Sequence, residues 1–509
     1  MKCSLKPLLE EYNLDENVMS FDDIMIEYYL LNVIDTNYSL KAIAYNTIDL
    51  VMSEEGFKSK EVQTSLFEVV EEPSINSYIE KYIAAAVYSL PLIHSILNKQ
   101  LEDEGLHDVY TNIEIPLIEV LADIEKNGMH IDREKLNEFG ETLKSRLFEI
   151  KSKVIEIAGQ EFNLNSTQQL AHILFEVLKI PYPKKGTNYS TDKETLESID
   201  GEYEIIDLML EYRALNKLMS TYVEGLTEVI NEDNRIHTTF MQAVTATGRL
   251  SSIEPNLQNI PVRTELGGKI RECFSAEKGS VLVDADYSQI ELRVLAHMAN
   301  DENMLKAFKS GEDVHSITAS QVFGVTLPEV TSELRSRAKA VNFGIVYGIS
   351  EFGLAKNIKS SRQDAKKYIT NYLNHYKGID NFMKESVENG KTDGYVKTLF
   401  GRRRTVPELK SSNYMTRQFG ERIAMNMPVQ GTAADIMKLA MINTYTELKK
   451  QNLNAKVIMQ VHDELIIECP ENETEKVKTI LKMCMENVTT LNVPLKVDVN
   501  CGKNWLEAK

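Results

Sequence analysis

Two strand-like segments that lie far apart in the chain both carry carboxylates at their ends. The first is Ser280 to Asp284 (SVLVD), followed by Ala285 and Asp286. The second is Lys456 to Val461 and Leu465 to Cys469, with His462, Asp463 and Glu464 between the two runs. Val281, Leu282 and Val283 have the apolar character and length of a buried strand, and the second segment has the pattern of a hairpin with a polar tip. Residues 289–450, which separate the two, are mostly helical in pattern. A sheet interrupted in sequence by a helical block predicts a discontinuous domain with a second one inserted in it.

A further β-rich piece, Ile236 to Phe240, follows a change of pattern near residue 235, and the stretch before it reads as helix. Asn112 to Asn127 is predicted as an amphipathic helix ended by Gly128. Leu136, Phe139, Leu143, Leu147 and Ile150 recur at three- and four-residue steps within a helical stretch over 133–179. Ser166 to Leu178 is a second helix there, with Asn165 as its expected cap, and residues 203–230 return to helix after the loop Pro181 to Asn188.

The chain has 509 residues, which at about 150 per domain suggests three or so domains. Hydrophobic residues at 43% and charged residues at 26% are a globular balance. No apolar run approaches the ~20 residues of a membrane span, since Ile83 to Ile93 is broken by Ser89 and Pro91. Met1 to Leu9 lacks the apolar stretch of a secretory signal. The five cysteines are far apart and form no Cys-x-x-Cys, which speaks against a zinc knuckle or redox pair and for a reducing, cytoplasmic setting. The net charge of −19 argues against nucleic acid as a partner until its distribution is considered. Residues 1–120 hold 7 Lys and Arg against 22 Asp and Glu, leaving the remainder near neutral. The clusters Arg335, Arg337, Lys339 and Arg402, Arg403, Arg404 lie in that remainder and suggest a local positive surface.

An aspartate at the end of a strand faces a cleft from a fixed backbone. Asp284 and Asp286 there offer the oxygen ligands that hard cations take, or simply cap the helix that starts near Ser288. Acids in a hairpin turn are equally ordinary. If Asp286 and Asp463 meet, they would bridge two metal ions about 3.5–4 Å apart; the sequence leaves open whether they do. Arg335, Lys339, Phe343 and Tyr347 in RSRAKAVNFGIVYG are spaced by four, so on a helix they share one face. Two cations suit a polyphosphate and two rings suit a base and sugar, and burying that stripe in a core would cost unpaired charge. Gly344 and Gly348 leave the end of this helix thinly covered, which predicts close approach by a ligand or partner. Thr245 to Arg263 (TATGRLSSIEPNLQNIPVR) is rich in short donors that suit phosphate and sugar contacts.

Together these segments resemble the DNA polymerase I family (family A). DADYSQIELRVLAH resembles its first palm motif, RSRAKAVNFGIVYG its fingers-helix motif and QVHDEL its second palm motif. TATGRLSSIEPNLQNIPVR, FGRRR and NMPVQGTAAD match as well, and the resemblance covers nearly the whole chain, most densely from 235 to 505. It implies an α+β, multidomain right-hand polymerase with an antiparallel-sheet palm and helical fingers and thumb. The expected divisions are a truncated exonuclease-like region over 1–108, thumb over 109–228, palm over 229–300, fingers over 301–399 and the second part of the palm over 400–509. It implies template-directed DNA synthesis from deoxynucleoside triphosphates on primer-template DNA by a monomer. Asp286, Asp463 and the Tyr287 carbonyl would hold two Mg²⁺ ions, for which Mn²⁺ may substitute, with Glu464 nearby. Arg335 and Lys339 would grip the triphosphate with help from His315 and Gln289, and Lys339 would also protonate the leaving pyrophosphate. Phe343 would lie against the base and sugar, at a position where some relatives have Tyr, and Tyr347 would close over the template side. Glu291 would pack where a 2′-hydroxyl would go. Arg249, Gln430 and His462 would hold the primer end and minor groove, and Asn256, Gln258, Arg263, Arg422 and Asn426 would make further DNA contacts.

The chain departs from proofreading relatives near its start. Phe21 to Asn32 (FDDIMIEYYLLN) resembles the middle of their 3′→5′ exonuclease domain, but the opening Asp-x-Glu has no counterpart, Leu5 stands where an Asp is expected, and Ala86 replaces the acid of a Tyr-x-x-x-Asp motif beginning at Tyr82. The expectation is therefore no proofreading, and no 5′ nuclease segment is recognised either. Two other readings are a single-subunit RNA polymerase, which Glu291 at the sugar gate argues against, and an inert DNA-binding scaffold, which intact Asp286, Asp463, Arg335 and Lys339 argue against.

Overall fold

The computed structural model describes residues 21–52, 75–182, 189–199, 201–261 and 265–509, and of residues 75–80 the backbone alone. The fold is α+β, rich in helix, with small antiparallel sheets.

The two carboxylate-bearing segments pair within one sheet, a meeting that the sequence left open. β1 (Ser280–Tyr287) is a central strand, β2 (Lys456–Val461) and β3 (Glu464–Pro470) form the hairpin, and β4 (Val497–Gly502) completes a four-stranded sheet of order β4-β1-β3-β2. All neighbours are antiparallel, and the register sets Asp286 opposite both Glu464 and Asp498. Because side chains alternate along a strand, Asp284 and Asp286 share one face while Val283, Ala285 and Tyr287 share the other. The second face packs under α12 (Thr474–Glu486), where the Tyr287 hydroxyl donates to the Met485 carbonyl at 2.7 Å.

The first half is helical where the pattern predicts it. The Asn112–Asn127 helix is α4 (Ile115–Asn127), entered through a π turn over Tyr110–Glu114 and ended by Gly128 at φ 58°. α5 (Arg133–Ala158) starts at Asp132, whose carboxylate accepts from the Glu134 and Lys135 amides, and buries Leu136, Phe139, Leu143 and Ile150, with Leu147 half-buried. The next helix starts at Thr167, and its cap is Ser166 rather than Asn165. Both residue types cap well, and here the Asn165 amide is itself held by the Asn163 side chain at 3.0 Å. α6 (Glu204–Leu218) packs on α5. Nearer the start, α1 (Ile24–Leu31), α2 (Leu40–Ile48) and α3 (Ile75–Asp103) pack together. Leu5 lies outside the described residues, and Ala86 sits half-buried on α3.

The inserted block contains α7 (Ile290–Met298), α8 (Val314–Phe323), α9 (Ser332–Val346), α10 (Lys377–Asp393) and the long α11 (Tyr414–Lys450). Among the described residues no helix is long and apolar enough to cross a membrane.

The Arg402–Arg404 cluster does not form the positive surface expected of it. Arg402 is 1% exposed; its guanidinium donates to Asp435 at 2.8 Å and to Glu114, which also accepts from the Lys438 ammonium at 2.6 Å. Gln242 donates to the same Glu114 carboxylate at 2.9 Å. Arg403 pairs with Glu104 at 2.9 Å and lies over the Tyr395 ring. A charge this deeply buried is tolerable because the Glu114 and Asp435 carboxylates face it. Burial pushes the Glu114 carboxyl up, but the charges of Lys438 and Arg402 outweigh it and bring the pKa down to about 2.

Glu114→Gln is therefore expected to cost about 3–5 kcal/mol in chemical denaturation at pH 7, because Arg402 and Lys438 lose a buried charge partner. Since the folded pKa is depressed, the stabilisation by Glu114 is complete above the ordinary carboxylate range and is lost as pH falls towards 2. The gap between the substituted and unsubstituted chains should narrow over that acid window. An unchanged gap would show that Glu114 does not act as a charge here.

Candidate active site

α9, the β1 end and the β2–β3 hairpin enclose a cavity of about 840 Å³. Its wall includes Asp286, Tyr287, Gln289, Glu291, His315, Arg335, Lys339, Phe343, Tyr347, Arg249, Gln258, His462 and Asp463. Most of the predicted site residues are thus gathered on one surface.

The acids reach it from two directions. Asp286 stands near the end of β1, and the hairpin turns through only His462 and Asp463, with Val461 paired to Glu464. His462 takes φ 55° to make that turn. The Tyr287 amide donates to the Asp463 carbonyl at 3.1 Å, which ties the hairpin tip to the end of β1. Burial, and then the charges of Asp286 and Glu291, push the Asp463 carboxyl up to about 6. Burial also pushes Asp286 up, against the opposing charge of Lys509. Two acids that repel one another on one wall of a cavity are a donor set suited to a hard divalent cation.

Asp284 does not reach the cavity. It is 3% exposed, neither carboxylate oxygen has a hydrogen-bond partner among the described residues, and burial, then the Glu464 charge, pushes its pKa up to about 9. Glu464 is likewise buried and engaged: Trp505 Nε1 donates to Oε1 at 2.5 Å and the Lys509 ammonium to Oε2.

The opposite wall is α9. Arg335, Lys339 and Phe343 lie along its cavity face and Tyr347 follows at its end, so the four-residue spacing becomes one lining stripe. Arg335 pairs with Asp313 (Nε to Oδ2, 2.6 Å), whereas Lys339 has no carboxylate partner among the described residues and lies 6.0 Å from the Phe343 ring centre. His315 is 2% exposed, shares a 3.0 Å hydrogen bond with Asn342, and is pushed down to about 4 by burial. The close approach at Gly344 and Gly348 is made by the chain itself. A Cβ on Gly344 would lie 2.8 Å from Ile349, and Gly348, at φ 63°, lies against Met425 and Arg422 of α11.

Glu291, on the first turn of α7, joins the walls. Oε1 accepts from Arg249 at 2.5 Å and Oε2 from the Tyr347 hydroxyl at 2.8 Å. Gln258 donates to Gln460 at 3.0 Å. Arg422 lines a neighbouring depression with Phe343 and Tyr347, and Asn256 lines another with Lys217 and Tyr222. Asn426 and Gln430 stand half-buried on α11, and Arg263 lies outside the described residues. Sequence reading missed Arg271, Trp505 and Lys509. It also missed Asp22, Glu27 and His94, whose ligand atoms lie within 4.8 Å of one another in the first region, the imidazole held 2.7 Å from Glu27.

A split antiparallel sheet with acids at the ends of its strands, facing a helix that presents cations and rings, is the architecture of a polymerase. DNA polymerase family A matches residues 133–507, and the chain belongs to that family. DNA polymerase I of Caldicellulosiruptor bescii is 45% identical over 99% of this chain and 57% of its own length. That of Bacillus subtilis is 42% identical over 96% of this chain and 55% of its own length. The chain thus spans little more than half of these relatives. The POL domain of Pol1 from M. smegmatis, solved in complex with DNA primer-template and dNTP, is similar with a TM-score of 0.85 at 35% identity, over 96% of this chain and 82% of that one.

Proposed function

We propose that the chain is a template-directed DNA polymerase that adds deoxynucleoside triphosphates to a primer 3′-hydroxyl. The observation that carries this is the cavity itself, with Asp286 and Asp463 on one wall and Arg335 and Lys339 on the other. That arrangement suits in-line transfer of a nucleotidyl group with release of pyrophosphate.

Asp286, Asp463 and the Tyr287 carbonyl are the groups that would hold two Mg²⁺ ions, with Mn²⁺ as a substitute. When bound, such ions activate the attacking hydroxyl and stabilise charge on the phosphate and leaving oxygen. Arg335 and Lys339 bind the triphosphate, Arg335 by exchanging Asp313 for phosphate oxygens. Lys339 also supplies a proton to the leaving pyrophosphate. Asn342 fixes the ring of His315, which with Gln289 steadies the triphosphate. Phe343 packs on the base and sugar. Glu291, fixed by Arg249 and Tyr347, fills the space of a ribose 2′-hydroxyl. Arg249, Gln430 and His462 hold the primer end, and Asn256, Gln258, Arg422 and Asn426 line the path of the duplex. Residues 109–228 serve as thumb, 229–300 with 400–509 as palm, and 301–399 as fingers.

Primer extension with each nucleotide type tests this reading. Asp463→Ala is expected to bind primer-template as the unsubstituted chain does and to lose extension by about 10³-fold or more. Matching loss of binding would make the residue structural. Glu291→Ala is expected to raise ribonucleotide use relative to deoxynucleotide use by about 10- to 100-fold, and an unchanged ratio would remove it from sugar selection. In the first region Ala86 carries no ligand where the proofreading motif has an acid, so a mismatched primer should stay at full length with metal present. Shortening that persists in Asp463→Ala would overturn that expectation.

A further inference from the structure

The residues from Asn504 to Lys509 form a compact turn over the acidic face of the sheet. The Ala508 amide donates to the Asn504 carbonyl at 3.0 Å, and the Glu507 amide donates to the Asn504 side chain at 2.9 Å. Trp505 is its anchor. It is fully buried, its amide donates to the Phe274 carbonyl at 2.8 Å, and its ring meets Phe274 edge-on. The Arg271 guanidinium covers the other side, 3.9 Å from the ring centre. Trp505 and Lys509 then grip the two oxygens of Glu464 separately, which fixes where the ammonium lies. From there the Lys509 Nζ is 3.4 Å from Asp286 Oδ2.

The cations that face Asp286 and Glu464 are Lys509 and Arg271. Arg271 is 2% exposed and 3.7 Å from Glu464, and among the described residues it makes no hydrogen bond through any guanidinium nitrogen. It therefore belongs to Glu464, and the cation beside Asp286 is Lys509.

We propose that Lys509 is a positioning residue for divalent-cation occupancy: a tethered counter-ion that competes with the metal for Asp286. This rests on the reading of Asp286 as a metal-holding residue. A cation joining Asp286 has to displace the ammonium or sit beside it, and either cost weakens binding of the ion alone. A nucleotide brings further ligands to the ion, and so favours occupancy when substrate is present.

The test is Mn²⁺ binding to the full chain without DNA or nucleotide, with free ion counted by electron paramagnetic resonance at neutral pH. Lys509→Met should bind Mn²⁺ about tenfold more tightly than the unsubstituted chain, and Lys509→Arg should bind as the unsubstituted chain does. Equal or weaker binding by Lys509→Met overturns the proposal. Should circular dichroism show that Lys509→Met has not folded, Lys509→Gln is judged by the same two outcomes. Asp286→Asn separates the two readings. If it abolishes Mn²⁺ binding while Lys509→Met changes nothing, only the competition fails. If the unsubstituted chain binds no Mn²⁺ that Asp286→Asn removes, the metal-holding reading fails and takes the competition with it.

Discussion

The register of β1 against β3 determines what the cavity can contain. A slip of one residue along β1 would turn Asp286 towards α12 and bring an apolar neighbour to the cleft. Two features oppose that slip. Tyr287 is buried on the far face with its hydroxyl bonded to the Met485 carbonyl, so moving it out would orphan a polar group and expose a ring. The hairpin joining β2 to β3 has only two residues in its turn, so the position of Asp463 follows from the pairing of Val461 with Glu464. An acid from each segment is placed by backbone hydrogen bonding, before any side chain adjusts.

A second constraint holds the regions around the sheet together. Glu114 lies just before α4, Arg402 comes from the loop preceding Arg403–Thr405, and Asp435 and Lys438 are one turn apart on α11. Replacing them with apolar groups of the same shape need not weaken the fold, because burying ions is itself expensive. What the ions add is a fixed relation between elements far apart in sequence. α11 carries Arg422, Asn426 and Gln430 on its other turns, so the network that places α11 also places the backbone that bears them.

The parts legible in the sequence are those whose geometry is local. Spacing by four put Arg335, Lys339, Phe343 and Tyr347 on one face, and the cavity lies along that face. Two apolar runs around His462 to Glu464 gave the hairpin. The parts that were misread depend on partners remote in sequence. Arg402 resembles its surface neighbours in composition, yet Glu114, 288 positions away, draws it inside. Gly344 and Gly348 did signal close approach, but local pattern could not say that the neighbours were Ile349 and α11. Trp505 and Lys509 meet Glu464 across 41 and 45 residues of chain, and only the fold reveals that Glu464 is anchored by them.

The strongly acidic chain and a polyanionic partner are compatible because charge is allocated by place. Many of the cations are spent in pairs, as with Arg146 and Glu211 or Arg235 and Glu468, and contribute little field at a distance. Lys339 has no carboxylate partner among the described residues, and Arg249 is engaged by Glu291 at the cavity rim. The excess of acid is concentrated in residues 1–120. Screening limits the reach of that excess to about 8–10 Å at ordinary ionic strength, so it does not cancel cations on the cavity wall beyond that distance. Across the cavity the charge changes sign, from Asp286 and Asp463 on the sheet to Arg335 and Lys339 on α9. A ligand without separated charge would gain little from such a gradient. A ligand whose negative charge lies at one end, and which arrives with a cation of its own, is oriented by it.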